Sequence, residues 1–284
     1  MKKQEVIYDL TTHDLTGLCS HFNLTKESIF GFFREMIGDK KANADSFINY
    51  FKLSKEQVLE KEIYLTSLHV TTVKDQFESI NKYGLVNLLD AISLNTPLRD
   101  YLLEKGVLID LNAKTIKYGD KTIDISQKYN GDFHKPIQRI LYKLQIDFAI
   151  NAFFSSDDVT KYDGSVNERP EFLKNLSELL NDKDIEEDWI SNNSCSIIKF
   201  KAHIEDFSID SFNRFDFYVD EEMSAIEVEY LKRKWIIDKC LDNQGYGYED
   251  EFFSRMNNNI SIPFYNIIEI YSVDEYKKAY MIKK

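Results

Sequence analysis

The sequence predicts an α+β protein in which a helical N-terminal module, residues 1–61, packs on a body with a mixed or antiparallel sheet, residues 62–284. Apolar residues recur at helical spacing in the first of these segments. From Glu62 onward the pattern changes to β-branched, alternating stretches that are typical of strands, separated by helical stretches. Since no Gly/Ser-rich linker lies between the two segments, we expect them to pack together.

The composition excludes several classes of protein. The 284 residues include 48 acidic and 36 basic side chains, a net charge of −12, and 43% are apolar, with only 10 Gly and 4 Pro. Collagen-like, low-complexity and disordered chains are rich in Gly and Pro or poor in aromatic residues, and this chain is neither. A net acidic chain also disfavours sequence-independent binding of nucleic acid. The length allows a substantial core, because chains of this size bury about three quarters of their unfolded surface.

The cysteines and the lack of long apolar segments predict a cytoplasmic protein. Cys19, Cys195 and Cys240 are odd in number and none has CxxC spacing, which disfavours a disulfide framework or a zinc ribbon. The histidines lack metal-ligand spacing, so we expect no metal. No apolar segment typical of a secretory signal follows Lys2 and Lys3, and no window of about 18 apolar residues predicts a membrane span.

Capping residues predict three helix starts in the N-terminal module. Thr12 and Thr25 can each cap a segment with apolar residues on one face, and Ser54 begins a capping box ahead of Val58. The stretch 18–29 has the rhythm of a helix-turn-helix, which would suit a transcriptional regulator. Because its basic side chains are balanced by neighbouring glutamates, helix packing or a protein-binding face is favoured over DNA reading.

The body is predicted to combine strands and helices. Gly84 and Gly106 are placed to end helices, Pro97 to begin one, and turn signals at Asn112 and Gly119 separate short antiparallel strands. The predicted elements, in chain order, are a strand at 63–72, helices at 75–83 and 97–105, strands at 107–110, 115–118 and 121–125, a helix at 136–154, a polar loop at 157–167, a helix at 171–180, an acidic connection at 182–188, a strand at 196–204, a helix at 221–241, strands at 248–253 and 260–273, and a terminal turn or helix at 274–279.

A short stretch of the body carries the sharpest functional signal. A strand ending in His69-Val70-Thr71 is followed by a predicted helix with the pattern Ile-x-x-x-Gly-Leu, formed by residues 80–85. This arrangement resembles the first motif of the ADP-ribosyltransferase-like superfamily, as in its DNA-modifying and tRNA 2′-phosphotransferase branches. The resemblance covers about 20 residues of the chain. The alternative is a half-buried strand histidine that is hydrogen-bonded to a neighbouring carbonyl.

The resemblance implies a body with the ADP-ribosyltransferase fold and a site for NAD. In the family, the histidine and the threonine hold the ribose and the amide of NAD, which assigns these roles to His69 and Thr71. Thr72, Gly84 and Tyr162 are further candidates for NAD binding. Tyr162 and the pair Ser155-Ser156 are stand-ins for the family's middle motif, which has no clean match in this sequence.

The resemblance also implies a late catalytic carboxylate, often in a Glu-x-Glu pair at the start of a strand. Two pairs fit. Glu227 and Glu229 lie in a predicted helix, where residues two apart face in different directions. Glu249 and Glu251 precede a predicted strand, where residues two apart share a face, so this pair is the preferred catalytic candidate. An exposed acidic patch is the alternative interpretation of the same residues.

Two function hypotheses from different classes follow. The first is an ADP-ribosyltransferase-like protein, encoded by a phage, that either transfers ADP-ribose from NAD to a macromolecule or keeps the fold without the activity. The second is a non-enzymatic phage protein that binds and occludes a host defence complex, as a homo-oligomer or through a basic surface of its partner. The richness in Lys, Asn, Ile and Asp, which is common in phage proteins of AT-rich genomes, suggests the phage origin.

Overall fold

A computed structural model of the chain describes residues 4–12, 14–36, 41–74, 77–162, 164–212, 223–242, 244 and 251–281. The fold is 47% helical and 23% strand, with antiparallel pairing in both sheets, which confirms the predicted mixture of helices and strands. The resemblance to the ADP-ribosyltransferase fold stays a prediction.

The helices and strands of the described residues have the following bounds. The α-helices are α1 (Thr16–Phe22), α2 (Lys26–Glu35), α3 (Ala44–Phe51), α4 (Lys55–Leu59), α5 (Glu78–Tyr83), α6 (Leu88–Ser93), α7 (Pro97–Glu104), α8 (Pro136–Gln145), α9 (Glu171–Leu180), α10 (Asp184–Asn192), α11 (Ala225–Asp242) and α12 (Val273–Tyr280). The strands are β1 (Glu5–Tyr8), β2 (Glu62–Val73), β3 (Val107–Asp110), β4 (Thr115–Tyr118), β5 (Lys121–Asp124), β6 (Asn151–Ser155), β7 (Ser194–His203), β8 (Phe252–Arg255) and β9 (Ile267–Ser272).

The strands form two sheets. In the larger one the hydrogen-bonded order is β8-β6-β2-β7-β9, and β1 pairs with β2 in parallel from Glu5 opposite Glu62 to Tyr8 opposite Leu65. Strand β6 runs antiparallel to β2, with Phe153 opposite Leu68. The smaller sheet is the antiparallel meander β3-β4-β5, whose strands match the predicted ones closely because tight turns set the register of neighbouring strands.

The chain divides into two compact units. Unit 1 comprises Met1–Leu68, Ala152–Asp157 and Phe200–Arg255, and unit 2 comprises His69–Asn151, Asp158–Lys199 and Met256–Lys284. The whole predicted N-terminal module lies in unit 1. The predicted division at residue 61 stays a prediction.

The core of unit 1 is rich in aromatic side chains. Phe32 and Phe47 meet edge to face in the helical part, at 5.5 Å between ring centroids, and Phe154 packs against Phe207 and Trp235 elsewhere in the unit. These five side chains are almost fully buried. Aromatic pairs in such geometries contribute about 0.5–1.5 kcal/mol each beyond the burial of their area.

The core of unit 2 is mainly aliphatic. It is formed by buried faces of α6 to α10 and of the small sheet, and includes Leu102, Ile116, Ile140 and Leu173. The amphipathic spacing that predicted α9 at residues 171–180 is confirmed, because its apolar residues form one buried face in this core.

Several sequence-based expectations were wrong in detail. The N-terminal module begins with strand β1, not with a helix, and its pairing partner β2 lies far along the chain, beyond the reach of local patterns. The predicted helix at 136–154 ends at Gln145, and Asn151–Ser155 form β6 because pairing with β2 outweighs the apolar periodicity.

The acidic connection at 182–188 is largely a helix. In α10, Ile185 and Trp189 are buried at i, i+4 spacing, and the acidic residues of the first turn suit the positive end of the helix dipole. The strand predicted at 260–273 is shorter, with β9 beginning at Ile267. Residues 248–250 of the strand predicted at 248–253 lie outside the described residues, and β8 begins at Phe252.

Candidate functional site

His69 lies on the half-exposed face of β2, in unit 2. Its Nδ1 is 2.8 Å from the carbonyl oxygen of Asn151. Because a carbonyl oxygen can only accept, Nδ1 carries the proton and donates it, which leaves Nε2 as an acceptor in the neutral ring. Burial lowers the pKa of His69, so the imidazole is neutral at pH 7. Among the described residues, Nε2 has no hydrogen-bond partner.

Thr71 shares the half-exposed face of β2 with His69, because side chains two residues apart on a strand point to the same side. Within the described part of the chain its hydroxyl has no hydrogen-bond partner. Thr72 lies on the opposite, buried face, where its hydroxyl accepts a hydrogen bond of 2.8 Å from the indole nitrogen of Trp189. The structure therefore brings His69 and Thr71 to one face and gives Thr72 a role in the core of unit 2.

Gly84 has a backbone role that explains its place in the motif. It ends α5 with φ of +76° and ψ of −163°, a combination that is essentially restricted to glycine. The next residue, Leu85, pairs with another segment of unit 2, since Leu85 and Ile262 exchange two backbone hydrogen bonds of 2.8 and 2.9 Å. The glycine is needed for this close approach whether or not NAD binds nearby.

The other predicted site residues are placed as follows. Tyr162 follows the short 3-10 helix Val159–Lys161 in unit 2, and its side chain is partly exposed. Glu251 is exposed in unit 1, directly before β8, and accepts a hydrogen bond of 3.3 Å from the hydroxyl of Ser156. Glu249 lies outside the described residues.

The alternative Glu-x-Glu pair is occupied by structural contacts. Glu227 and Glu229 lie in α11, as predicted. The Glu227 carboxylate accepts hydrogen bonds from the backbone and the hydroxyl of Ser224 at the start of the helix, and these bonds lower its pKa. Glu229 pairs at 2.5 Å with the buried Arg233, one turn further on. Both glutamates therefore stabilise α11 through these contacts.

A polar network behind His69 was not predicted. The side chain of Asn151 donates a 3.0 Å hydrogen bond to Asp147. Asp147 also forms an ion pair with Lys143, with 2.5 Å between Oδ2 and Nζ. Lys143 also pairs with Glu171 at 2.6 Å. The i, i+4 spacing of Lys143 and Asp147 is visible in the sequence. Their connection to His69 is not, because it depends on the non-local placement of β6 beside β2.

Unit 2 also contains a cleft of about 380 Å³ just beyond the end of β2. Its wall combines basic and acidic side chains, among them Lys74, Lys82, Glu78 and Asp100. None of the residues predicted to bind NAD lines it. Its described lining residues carry charges of both signs and include no unpartnered buried polar group, so they indicate no particular ligand chemistry.

Among the described residues, no helix is long and apolar enough to cross a membrane. The same residues contain no group of three His, Cys, Asp or Glu side chains that could hold a metal ion. The three cysteines are all free thiols. Burial raises the pKa of Cys195 to about 11, so this thiol is not an activated nucleophile at neutral pH.

Comparison with known proteins gives no match: no family model fits the sequence, no curated protein is similar to it, and no solved structure matches its fold. Any functional conclusion therefore depends on the residues described above.

Proposed function

We propose that this protein binds NAD on the face of β2 that carries His69 and Thr71, and transfers its ADP-ribose unit to a macromolecule. The observation that carries the proposal is the state of His69, a neutral, half-buried imidazole with Nδ1 occupied and Nε2 accepting. Such a nitrogen can accept a hydrogen bond from a ribose hydroxyl. The hydroxyl of Thr71 on the same face can bond the carboxamide of the nicotinamide ring.

In the proposed reaction, the bond between the ribose C1′ and the nicotinamide nitrogen breaks, and nicotinamide leaves. A nucleophilic atom of the acceptor bonds to C1′ and loses its proton to a base. The transition state places positive charge on the ribose, which a carboxylate stabilises. By the resemblance, Glu251 is the sequence-based candidate for this carboxylate, with Glu249 as its neighbour in the sequence. The hydroxyl of Ser156 donates a hydrogen bond to the Glu251 carboxylate within unit 1.

The first prediction concerns the affinity for NAD. We expect wild-type protein to bind NAD with a dissociation constant in the range of about 1 μM to 1 mM, as is common for enzyme substrates. His69→Ala should weaken binding about tenfold, because one hydrogen bond to the ribose is lost. Isothermal titration calorimetry measures both values, and chromatographic detection of released nicotinamide measures turnover in wild type and in Glu251→Gln.

His203 provides the control, since it is also a histidine on a strand of the larger sheet, but it lies in unit 1. His203→Ala should bind NAD as wild type does. A wild-type protein that neither binds NAD at millimolar concentration nor releases nicotinamide would contradict the proposal, and so would equal affinities of wild type and His69→Ala.

A second candidate function, self-association or protein binding, is favoured by the outer edge of the larger sheet. In the described part of the chain, β9 is the last strand on that side. It carries one charge in six residues, Glu269, whereas the edge strand β5 carries Lys121 and Asp124 in four. Natural sheets usually protect such edges with charges. The exposed fractions of Phe264, Tyr265 and Ile268 are 47%, 83% and 48%.

We infer that two copies would pair through β9 in antiparallel orientation, with Ile268 opposite the Ile268 of its copy. In this register Glu269 faces Ile267 and not a second carboxylate, which avoids like-charge repulsion. Because each copy has a net charge of −12, association should strengthen as salt rises and screens the repulsion.

The second prediction is therefore a dimer in sedimentation equilibrium that Ile268→Lys converts to a monomer, since a lysine on an edge strand opposes pairing. Leu108→Lys is the matched control, because Leu108 is similarly exposed, at 47%, on the edge strand β3 of the smaller sheet. A monomeric wild type at all salt concentrations, or a dimer that Ile268→Lys leaves intact, would rule out this interface.

A further inference from the structure

A chain of hydrogen bonds and ion pairs runs from His69 to helices α8 and α9 within unit 2. It begins at Nδ1 of His69, which donates to the carbonyl oxygen of Asn151. The side chain of the same asparagine donates to Oδ1 of Asp147 at 3.0 Å. Each link joins atoms at hydrogen-bond distance, so the position of the imidazole is coupled to the position of Asp147.

Asp147 is anchored from its other side by Lys143. Lys143 Nζ lies 2.5 Å from Oδ2 of Asp147 and 2.6 Å from Oε2 of Glu171, which ties α8 to the first turn of α9. The side chains of Lys143 and Asp147 are only 12% and 14% exposed, so water screens this pair weakly. Burial opposes the charge of Lys143, but the carboxylates of Asp147 and Glu171 outweigh it and raise its pKa.

The backbone around Asp147 is held independently of these side chains. The carbonyl oxygen of Phe148 accepts from the backbone of Leu88, and that of Ile150 accepts from the backbone of Met256. Substitutions at Lys143 or Asp147 therefore leave these backbone bonds in place. They should disturb the start of β6, where Asn151 lies, without unfolding unit 2.

We propose that Asp147, anchored by Lys143, is the positioning residue of His69. It holds Asn151 so that the carbonyl oxygen of this residue keeps the proton of His69 on Nδ1 and presents Nε2 as an acceptor. The purpose of this arrangement rests on the proposed function, since a ribose hydroxyl needs an accepting nitrogen. The tautomer itself does not depend on NAD and can be measured in the free protein.

The third prediction concerns this tautomer. Long-range ¹H–¹⁵N spectra of full-length protein with ¹⁵N-labelled histidine distinguish the two neutral tautomers, and the spectrum of His69→Gln identifies the signals of His69 among those of the 5 histidines. We expect wild type to show the Nδ1–H form alone. Asp147→Asn and Lys143→Met should both give a mixture of the two forms, and should weaken the binding of NAD about tenfold.

Glu178→Gln is the matched control. It removes the ion pair between Glu178 and Arg139, which joins the same two helices, α8 and α9, without touching the network of Asp147. This variant should keep the wild-type tautomer and affinity. A tautomer change in Glu178→Gln equal to that in Asp147→Asn would overturn the proposal, because it would show general loosening of the two helices.

The outcomes separate the two proposals. If Asp147→Asn and Lys143→Met keep the pure Nδ1–H form, the positioning role is overturned even if wild type binds NAD. If the tautomer changes in both variants while wild type fails to bind NAD, the positioning role stands and the proposed function fails.

Discussion

Replacing Gly84 with alanine should destabilise the protein by about 3 to 5 kcal/mol, because two penalties act at the same position. The backbone of Gly84 adopts φ of +76° and ψ of −163°, which strains any residue with a side chain. A Cβ here would also overlap the carbonyl oxygen of Ile262 and lie 2.9 Å from its carbonyl carbon. Relief of this overlap would pull apart the two backbone hydrogen bonds between Leu85 and Ile262.

Gly106 provides a control with only one of the two penalties. Its φ is +72°, but apart from its chain neighbours no atom of the described residues lies within 4 Å of a Cβ built on it. Gly106→Ala should therefore cost about 1 kcal/mol, the strain of a left-handed alanine. Urea unfolding, followed by circular dichroism, measures both variants. Equal losses for the two would show that the close approach of residues 84 and 262 does not constrain the fold.

The free energy of unfolding should decrease by about 3 kcal/mol when the pH is lowered from 7 to 4, through the protonation of His21 alone. This histidine is buried in unit 1, where the hydroxyl of Tyr8 lies 2.7 Å from Nδ1 and the carbonyl oxygen of Gln57 lies 3.2 Å from Nε2. Burial, together with the positive charge of Arg233, lowers the pKa of His21 to about 4.

The sign follows from proton uptake. Above about pH 7.5 His21 is neutral in both the folded and the unfolded chain, so its full contribution to stability is present. As the pH falls from 6.5 to 4, the unfolded chain binds a proton that the folded chain excludes, and stability decreases by about 1.4 kcal/mol per pH unit. Below about pH 4 the folded state binds the proton too, and His21 causes no further loss.

The measurement compares the pH dependence of the free energy of unfolding in wild type and in His21→Gln. The chain has 2 tryptophans, and Trp235 lies in unit 1, so a Trp189→Phe background limits the fluorescence to that unit. His21→Gln should flatten the curve between pH 6.5 and pH 5. His134→Gln, at an exposed histidine, should leave it unchanged, and an unchanged curve in His21→Gln would contradict the assignment.

Local signals predicted the elements that local interactions form. Thr25 and Ser54 cap helices α2 and α4 as expected, because a capping side chain contacts backbone only two or three residues away. The strands of the small sheet were found for the same reason, since their turns are short. Strands β1 and β6 were missed because their partner β2 is distant in the sequence.

In the candidate site, too, the features that depend on local interactions were predicted and those that depend on distant residues were not. The motif His69-Val70-Thr71 placed two polar side chains on one face of a strand, which the structure confirms, because the period of a strand is a local property. Thr72 was predicted to bind NAD together with these two residues, but adjacent residues of a strand face opposite sides, and Thr72 is buried. Its partner Trp189 lies in a segment that the acidic residues had suggested to be a solvated connection.

The sequence by itself determined the mixture of helices and strands, most helix starts, the small sheet and the position of a histidine and a threonine on one strand. These depend on propensity, capping and periodicity within a few residues. Only the tertiary structure decided the tautomer of His69, the anchoring role of Lys143 and Asp147, and the need for glycine at position 84. Each of these depends on atoms that are brought together from distant parts of the chain, where burial and hydrogen-bond geometry control the chemistry.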